Sequence, residues 1–194
     1  MKISLIDTNY NLSLSNDRYE EIKRIVVELF EQYNVKCVPV SGFELALKMG
    51  IKVIPYSSIP KPKQDLLFKK STDGFLVEKN IGEFYIFYND NAIYGRINHT
   101  ILHEIGHIVL DHTEDSELAD KEVSFFAKYA LVPPVLIHKF KINNVLDIVK
   151  VFDVSLQAAC YAYSYYQKWL QYGTKHYTDY EIRLLNLFNN IYLI

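Results

Sequence analysis

Cysteine is nearly absent from this chain: 194 residues hold only Cys37 and Cys160, far apart and in no CxxC arrangement. A disulfide-built scaffold is thereby excluded, and the two are expected to be separate buried thiols. No stretch approaches 18 uncharged apolar residues, so no membrane-spanning helix is expected. The segment from Met1 to Asn16 places Asp7 inside its first apolar stretch and lacks a signal-type apolar core, which makes the cytoplasm the expected location. Net charge is also missing. With 21 Lys and Arg against 23 Asp and Glu, the balance of −2 gives no electrostatic case for a general nucleic-acid or membrane binder. Repeats, low-complexity tracts and an interdomain linker are absent too, and the length suits one domain, residues 1–194, with a helical C-terminal portion from about 143 to 194.

What is present is a globular balance: 49% hydrophobic and 23% charged residues argue against disorder. Sixteen Tyr and eleven Phe supply large buried surfaces, many with a polar tip that needs a partner. Apolar periodicity predicts a helix over Asp17 to Tyr33, with Ile22, Ile25, Val26, Leu29 and Phe30 on one face and Asn16 or Asp17 as cap. A short helix, Gly42 to Lys48, should end at Gly50 and lead into a strand over Ile51 to Tyr56. Pro55, Pro60 and Pro62 then mark a basic, solvated loop. Two aromatic and branched runs around Lys79-Asn80-Ile81-Gly82 have the form of a β-hairpin, 74–77 and 83–88. Helices follow at about 97–111, 116–131, 144–152, 155–172 and 178–188. A small sheet among helices is an α+β arrangement.

The chemistry sits in His103-Glu104-Ile105-Gly106-His107, a match to H-E-x-x-H. At about 100° per residue, His107 lies only about 40° round from His103 and about 6 Å further along, so both imidazoles can close on one zinc ion. Glu104 falls beside the metal's open position, where a carboxylate can take a proton from a water acidified by the metal. Ile101, Leu102, Ile105, Ile108 and Val109 cluster on the opposite face, which makes this a half-buried helix with a wet ligand side; Thr100 and Asp111 share that polar stripe. Gly106 is costly in mid-helix, so close packing of backbone is its expected justification. Catalytic zinc needs a third protein ligand. Asp111 and His112 look too near in sequence to fold back, whereas Glu122 shares an apolar stripe with Leu118, Phe125, Phe126 and Tyr129, where a carboxylate needs a strong partner. Asp120 is the alternative.

Arg96-x-x-x-Thr100-x-x-His103-Glu104-x-Gly106-His107, followed by Glu122-x-x-x-Phe126-Ala127-x-x-x-Leu131-x-Pro133, resembles the ImmA/IrrE family of zinc metallopeptidases over roughly residues 42–168. The resemblance implies a minimal zincin-like fold, a small twisted sheet packed on the active-site helix with additional C-terminal helices. It also implies a zinc site of His103, His107 and Glu122, with Glu104 catalytic. Members of that family act on regulatory proteins, often helix-turn-helix repressors of mobile elements or stress genes. This chain departs from the pattern at Val123, where Ala is usual, and at His99, where an aromatic residue is common; its Tyr-rich C-terminal part has no counterpart.

Other residues have plainer readings. His99 is expected to be a packing histidine, and His112, His138 and His176 surface residues. Tyr129, Tyr94, Arg96 and His138 are candidate donors to a transition-state oxyanion, and Asp111 is a candidate partner for a ligand imidazole. Residues 145–166 have helix-turn-helix rhythm, but the second helix carries tyrosines where phosphate-seeking residues belong, so it is expected to pack or to contact protein rather than DNA. Two functions remain in contention. One is hydrolysis of a protein substrate, with an extended substrate strand pairing to a sheet edge near Glu83–Tyr88. The other is a zinc-stabilised regulator that binds a repressor or antitoxin partner without cutting it. A His/carboxylate set also accepts manganese or iron.

Overall fold

The computed structural model describes residues 13–114, 116–173 and 175–189. The segment before residue 13, to which the expectation about a signal core applies, lies outside them. Chain order is helix α1 (Asn16–Gln32), α2 (Gly42–Lys48), strand β1 (Lys52–Pro55), α3 (Lys61–Lys70), the hairpin β2 (Gly74–Asn80) and β3 (Glu83–Tyr88), then α4 (Tyr94–Val109), α5 (Glu117–Leu131), α6 (Pro134–Lys139), α7 (Val145–Phe152), α8 (Leu156–Leu170) and α9 (Asp179–Leu187). The arrangement is α+β, consistent with a minimal zincin-like fold.

The sheet is mixed, in the order β1-β3-β2. β2 and β3 pair antiparallel through a turn in which Gly82 takes φ +76°, and β1 pairs parallel to β3 with Val53 opposite Ile86. A parallel pair needs a crossover, which α3 and β2 supply here. Glu83–Tyr88 is therefore the central strand and not an edge; the expectation of a substrate strand pairing there is overturned, and β2 offers an open side instead. Residues 61–70 are helical rather than a loop, with Pro62 in the first turn, where no intrahelical N–H is needed and proline's fixed φ suits the helix.

Three features hold α4 in place. Ile101, Leu102 and Ile105 are fully buried, each worth about 1.5–3 kcal/mol of apolar transfer. Asn98, also buried, accepts a 2.6 Å bond from the Gly42 amide and donates a 2.9 Å bond to the Val40 carbonyl, tying α4 to the cap of α2. Gly106 lets α5 come close: a Cβ there would lie 3.1 Å from Phe126 and Val123 side-chain atoms, so its expected justification is what the packing shows. Across the sheet, a Cβ on Gly74 would meet Thr100 at 2.6 Å and the Phe87 carbonyl at 2.8 Å, so α4 also rests directly on strand backbone.

Helix α1 packs on α5, where Tyr19 and Phe125 meet edge to face at 4.6 Å, and on α9, where Arg183 bonds Glu31. Its N-cap is Ser15, whose hydroxyl accepts from the Arg18 amide, one residue earlier than expected. Short α6 was not foreseen; Pro133 and Pro134 start it instead of merely ending α5. Cys37 and Cys160 are both exposed, not buried, because one lies in the link after α1 and the other on the outer side of α8.

Replacing Asn98 with Ala strands a buried amide and a buried carbonyl at once. The expected cost is about 2–4 kcal/mol, seen as a lower midpoint of urea unfolding with unchanged slope.

Candidate metal and catalytic site

The two histidines of α4 stand as the helical spacing requires, with ring centroids 5.2 Å apart. Burial pushes His103 down to about 4, against the opposing pull of Asp120, so the ring is neutral at neutral pH and can offer a lone pair to a cation. Its Nε2 lies 3.4 Å from Asp120 Oδ1. Because the ring is neutral, that contact is not an ion pair. Glu104 is buried and shares with His107 a cleft of about 270 Å³, lined also by Lys70, Phe75, Leu76, His112, Thr113 and Glu114. The hairpin strand β2 thus forms one wall of the cleft and the end of α4 the other.

Glu122 is buried on α5 as its apolar stripe predicted, and its partners are Arg18 and His112. Arg18 of α1 grips both oxygens, Nε at 2.8 Å and Nη2 at 2.5 Å. This bidentate fork holds the carboxyl below its usual range, against the cost of burial. The second oxygen also meets His112 Nε2 at 2.9 Å, and His112 Nδ1 meets His107 Nδ1 at 3.2 Å. His112 thus bridges Glu122 and His107 through its two ring nitrogens.

His112 is therefore not a surface residue. It can fold back because Asp111 adopts φ +55°, which ends α4 and lets the His112 amide bond the His107 carbonyl at 3.0 Å. Asp111 itself is exposed at that corner. Neither Arg18 nor His112 was singled out from the sequence for this site. His112 could have been found by allowing a left-handed residue at Asp111; Arg18 lies 104 positions from Glu122, and no local pattern connects them.

The proposed oxyanion donors do not line the cleft. Tyr129 is buried with its hydroxyl lacking a partner, close to Phe125 and electrostatically coupled to Tyr180 and Glu181. Tyr94 stacks on Phe43, Arg96 is bound to Asp73 at 2.6 Å, and His138 meets Tyr166 at 3.1 Å.

The donor types are those zinc takes, imidazoles and carboxylates on two facing helices, with the Glu104 carboxylate alongside. Among the described residues, no three His, Cys, Asp or Glu side chains converge closely enough to hold an ion. The immediate reason is visible, since Glu122 is committed to Arg18 and His112.

Comparison with known proteins adds a family. The model of the IrrE N-terminal-like domain, Peptidase M78, matches residues 48–164, more than half of the chain. A comparison with curated proteins finds no match.

Arg18→Ala should leave the buried Glu122 carboxylate to His112 and destabilise the fold by about 1–3 kcal/mol, discounted because Arg18 is partly exposed. Arg18→Lys should recover only part of that, since a point charge cannot reproduce the fork. Thermal unfolding of the two variants against the parent measures both.

Proposed function

Since this chain belongs to the IrrE N-terminal-like family of M78 metallopeptidases, we propose that it is a zinc-dependent peptidase that hydrolyses a peptide bond in a regulatory protein, such as a helix-turn-helix repressor. The observation that carries the reading is the shared cleft: Glu104 and His107 face β2, whose outer side pairs with no strand among the described residues and suits an extended chain. The choice of a repressor as substrate rests on family resemblance.

His103, His107 and Glu122 would hold the metal. Zinc, when bound, polarises the scissile carbonyl and acidifies the attacking water. Glu104 receives the proton from that water and returns it to the leaving amine. His112, set between Glu122 and His107, would help to hold the His107 ring in place. To serve as a ligand, Glu122 must give up part of its bonding to Arg18 or His112. Asp120 is the second carboxylate to weigh, because it already stands 3.4 Å from His103 Nε2.

Glu104→Gln should retain zinc and fold while losing cleavage by about 10²–10⁴-fold. Undiminished cleavage of a genuine substrate by this variant rules the mechanism out. If the parent protein silences a bound repressor that stays intact, the chain is a non-cleaving regulator instead. Metal analysis decides the third ligand. Glu122→Ala should purify with little zinc and Asp120→Ala with nearly one equivalent; the reverse pattern transfers the assignment to Asp120.

A further inference from the structure

A cavity among the described residues lies one helical turn from the site, not at Glu104. It has about 680 Å³ and sits where the start of α4, the end of α5 and the start of α8 meet. Its size falls within the roughly 300–1,000 Å³ typical of ligand sites and exceeds what one side chain fills. His99 lines it, and the His99 ring is 6.2 Å from that of His103, one turn further along α4. Gly95 of α4 faces the turn before α8, where a Cβ would make ordinary contact, 3.6 Å from the Asp153 carbonyl and the Ser155 amide.

The lining is apolar with cationic points. Leu131, Val154, Ala158 and Tyr161 make its walls, and Arg96 and Lys128 stand in it. None of its lining residues is a carboxylate, in a chain whose acids outnumber its bases by 23 to 21. Arg96 is occupied by Asp73. Lys128 lies over the Tyr161 ring, 4.7 Å from its centre, which leaves its positive end directed along an aromatic wall. Burial and the nearby Lys128 both hold the His99 ring below its usual range, so at neutral pH the ring adds no charge of its own.

From this geometry we infer that the cavity is the specificity subsite of the peptidase: it receives a short acidic and apolar segment of the substrate protein, flanking the bond to be cut. Apolar side chains of that segment pack on Val154, Ala158 and Tyr161, and a carboxylate meets Lys128. The inference rests on the peptidase reading for its direction, since it makes the cavity an extension of the cleavage site. It also gives the α7–α8 unit a purpose beyond packing, because the first turns of α8 build one wall.

The test measures binding separately from cleavage. A fluorescein-labelled peptide carrying glutamates between leucine and phenylalanine is compared with matched peptides carrying glutamine or lysine. Each is titrated by anisotropy into the full-length, zinc-loaded Glu104→Gln protein. The glutamate peptide should bind about tenfold more tightly than the lysine peptide, the effect of one partly desolvated charge pair. Adding Lys128→Glu should reverse that order, Lys128→Gln should erase it, and Ala158→Trp, by filling the cavity, should weaken all three. Equal binding of the peptides, or an order indifferent to Lys128, overturns the inference; so does displacement of the glutamate peptide by inorganic phosphate at equal concentration, which marks a plain anion site. If the expected order holds but the parent protein leaves the bound peptides intact and cuts no protein, the subsite stands as a binding site and the peptidase reading falls.

Discussion

The close approach of α4 and α5 at Gly106 is the constraint from which the site follows. With no side chain at that position, Val123 and Phe126 press against the backbone of α4. Glu122 and Asp120, on the same helix, are thereby brought among the histidines of the first. A larger residue at 106 would hold the helices apart by the width of a side chain, and carboxylates on α5 would lose their reach. The hydrophobic face of α4 supplies the opposing clamp: Ile101, Leu102 and Ile105 are sealed in the core, so the helix cannot roll its polar stripe away. Buried Asn98 adds directionality that apolar contact lacks, since its two bonds fix the axial position of α4 against α2.

A second layer of control comes from outside the family-matched stretch. Arg18 belongs to α1, upstream of residue 48, yet it grips the Glu122 carboxylate inside that stretch. The linked contacts Arg18–Glu122–His112–His107 run from that helix to a histidine of the H-E-x-x-H element. Charge is set along this line: the guanidinium favours the ionised form of Glu122, whose carboxylate meets His112. The guanidinium is delivered by a helix whose own anchorage is the α5 and α9 interface.

The sheet and the C-terminal helices divide the work around this centre. β3 takes the central position because β1 pairs with it in parallel, which leaves β2 open beside Glu104. On the other side of His103, the turn at Asp153 and the first residues of α8 close over the start of α4. The outer side of β2 thus lies beside Glu104 and His107, and the apolar cavity with its cationic point lies beside His99, one turn before His103.

Much of this was legible in local pattern. The amphipathic period of residues 94–109, the spacing of His103, Glu104 and His107, the hairpin turn at Gly82 and the apolar stripe containing Glu122 are all short-range facts, fixed by 3.6-residue and two-residue geometry. Sequence alone therefore determined the α+β class, the helix that carries the histidines and which of its faces is wet. Tertiary structure decided what those patterns cannot encode. A left-handed Asp111 turned His112 inward, a parallel partner made Glu83–Tyr88 an interior strand, and α1 reached across 104 positions to place Arg18 on Glu122. Each depends on contacts between segments distant along the chain, where the free energy of burial and pairing, rather than any local preference of the residues, selects the partner.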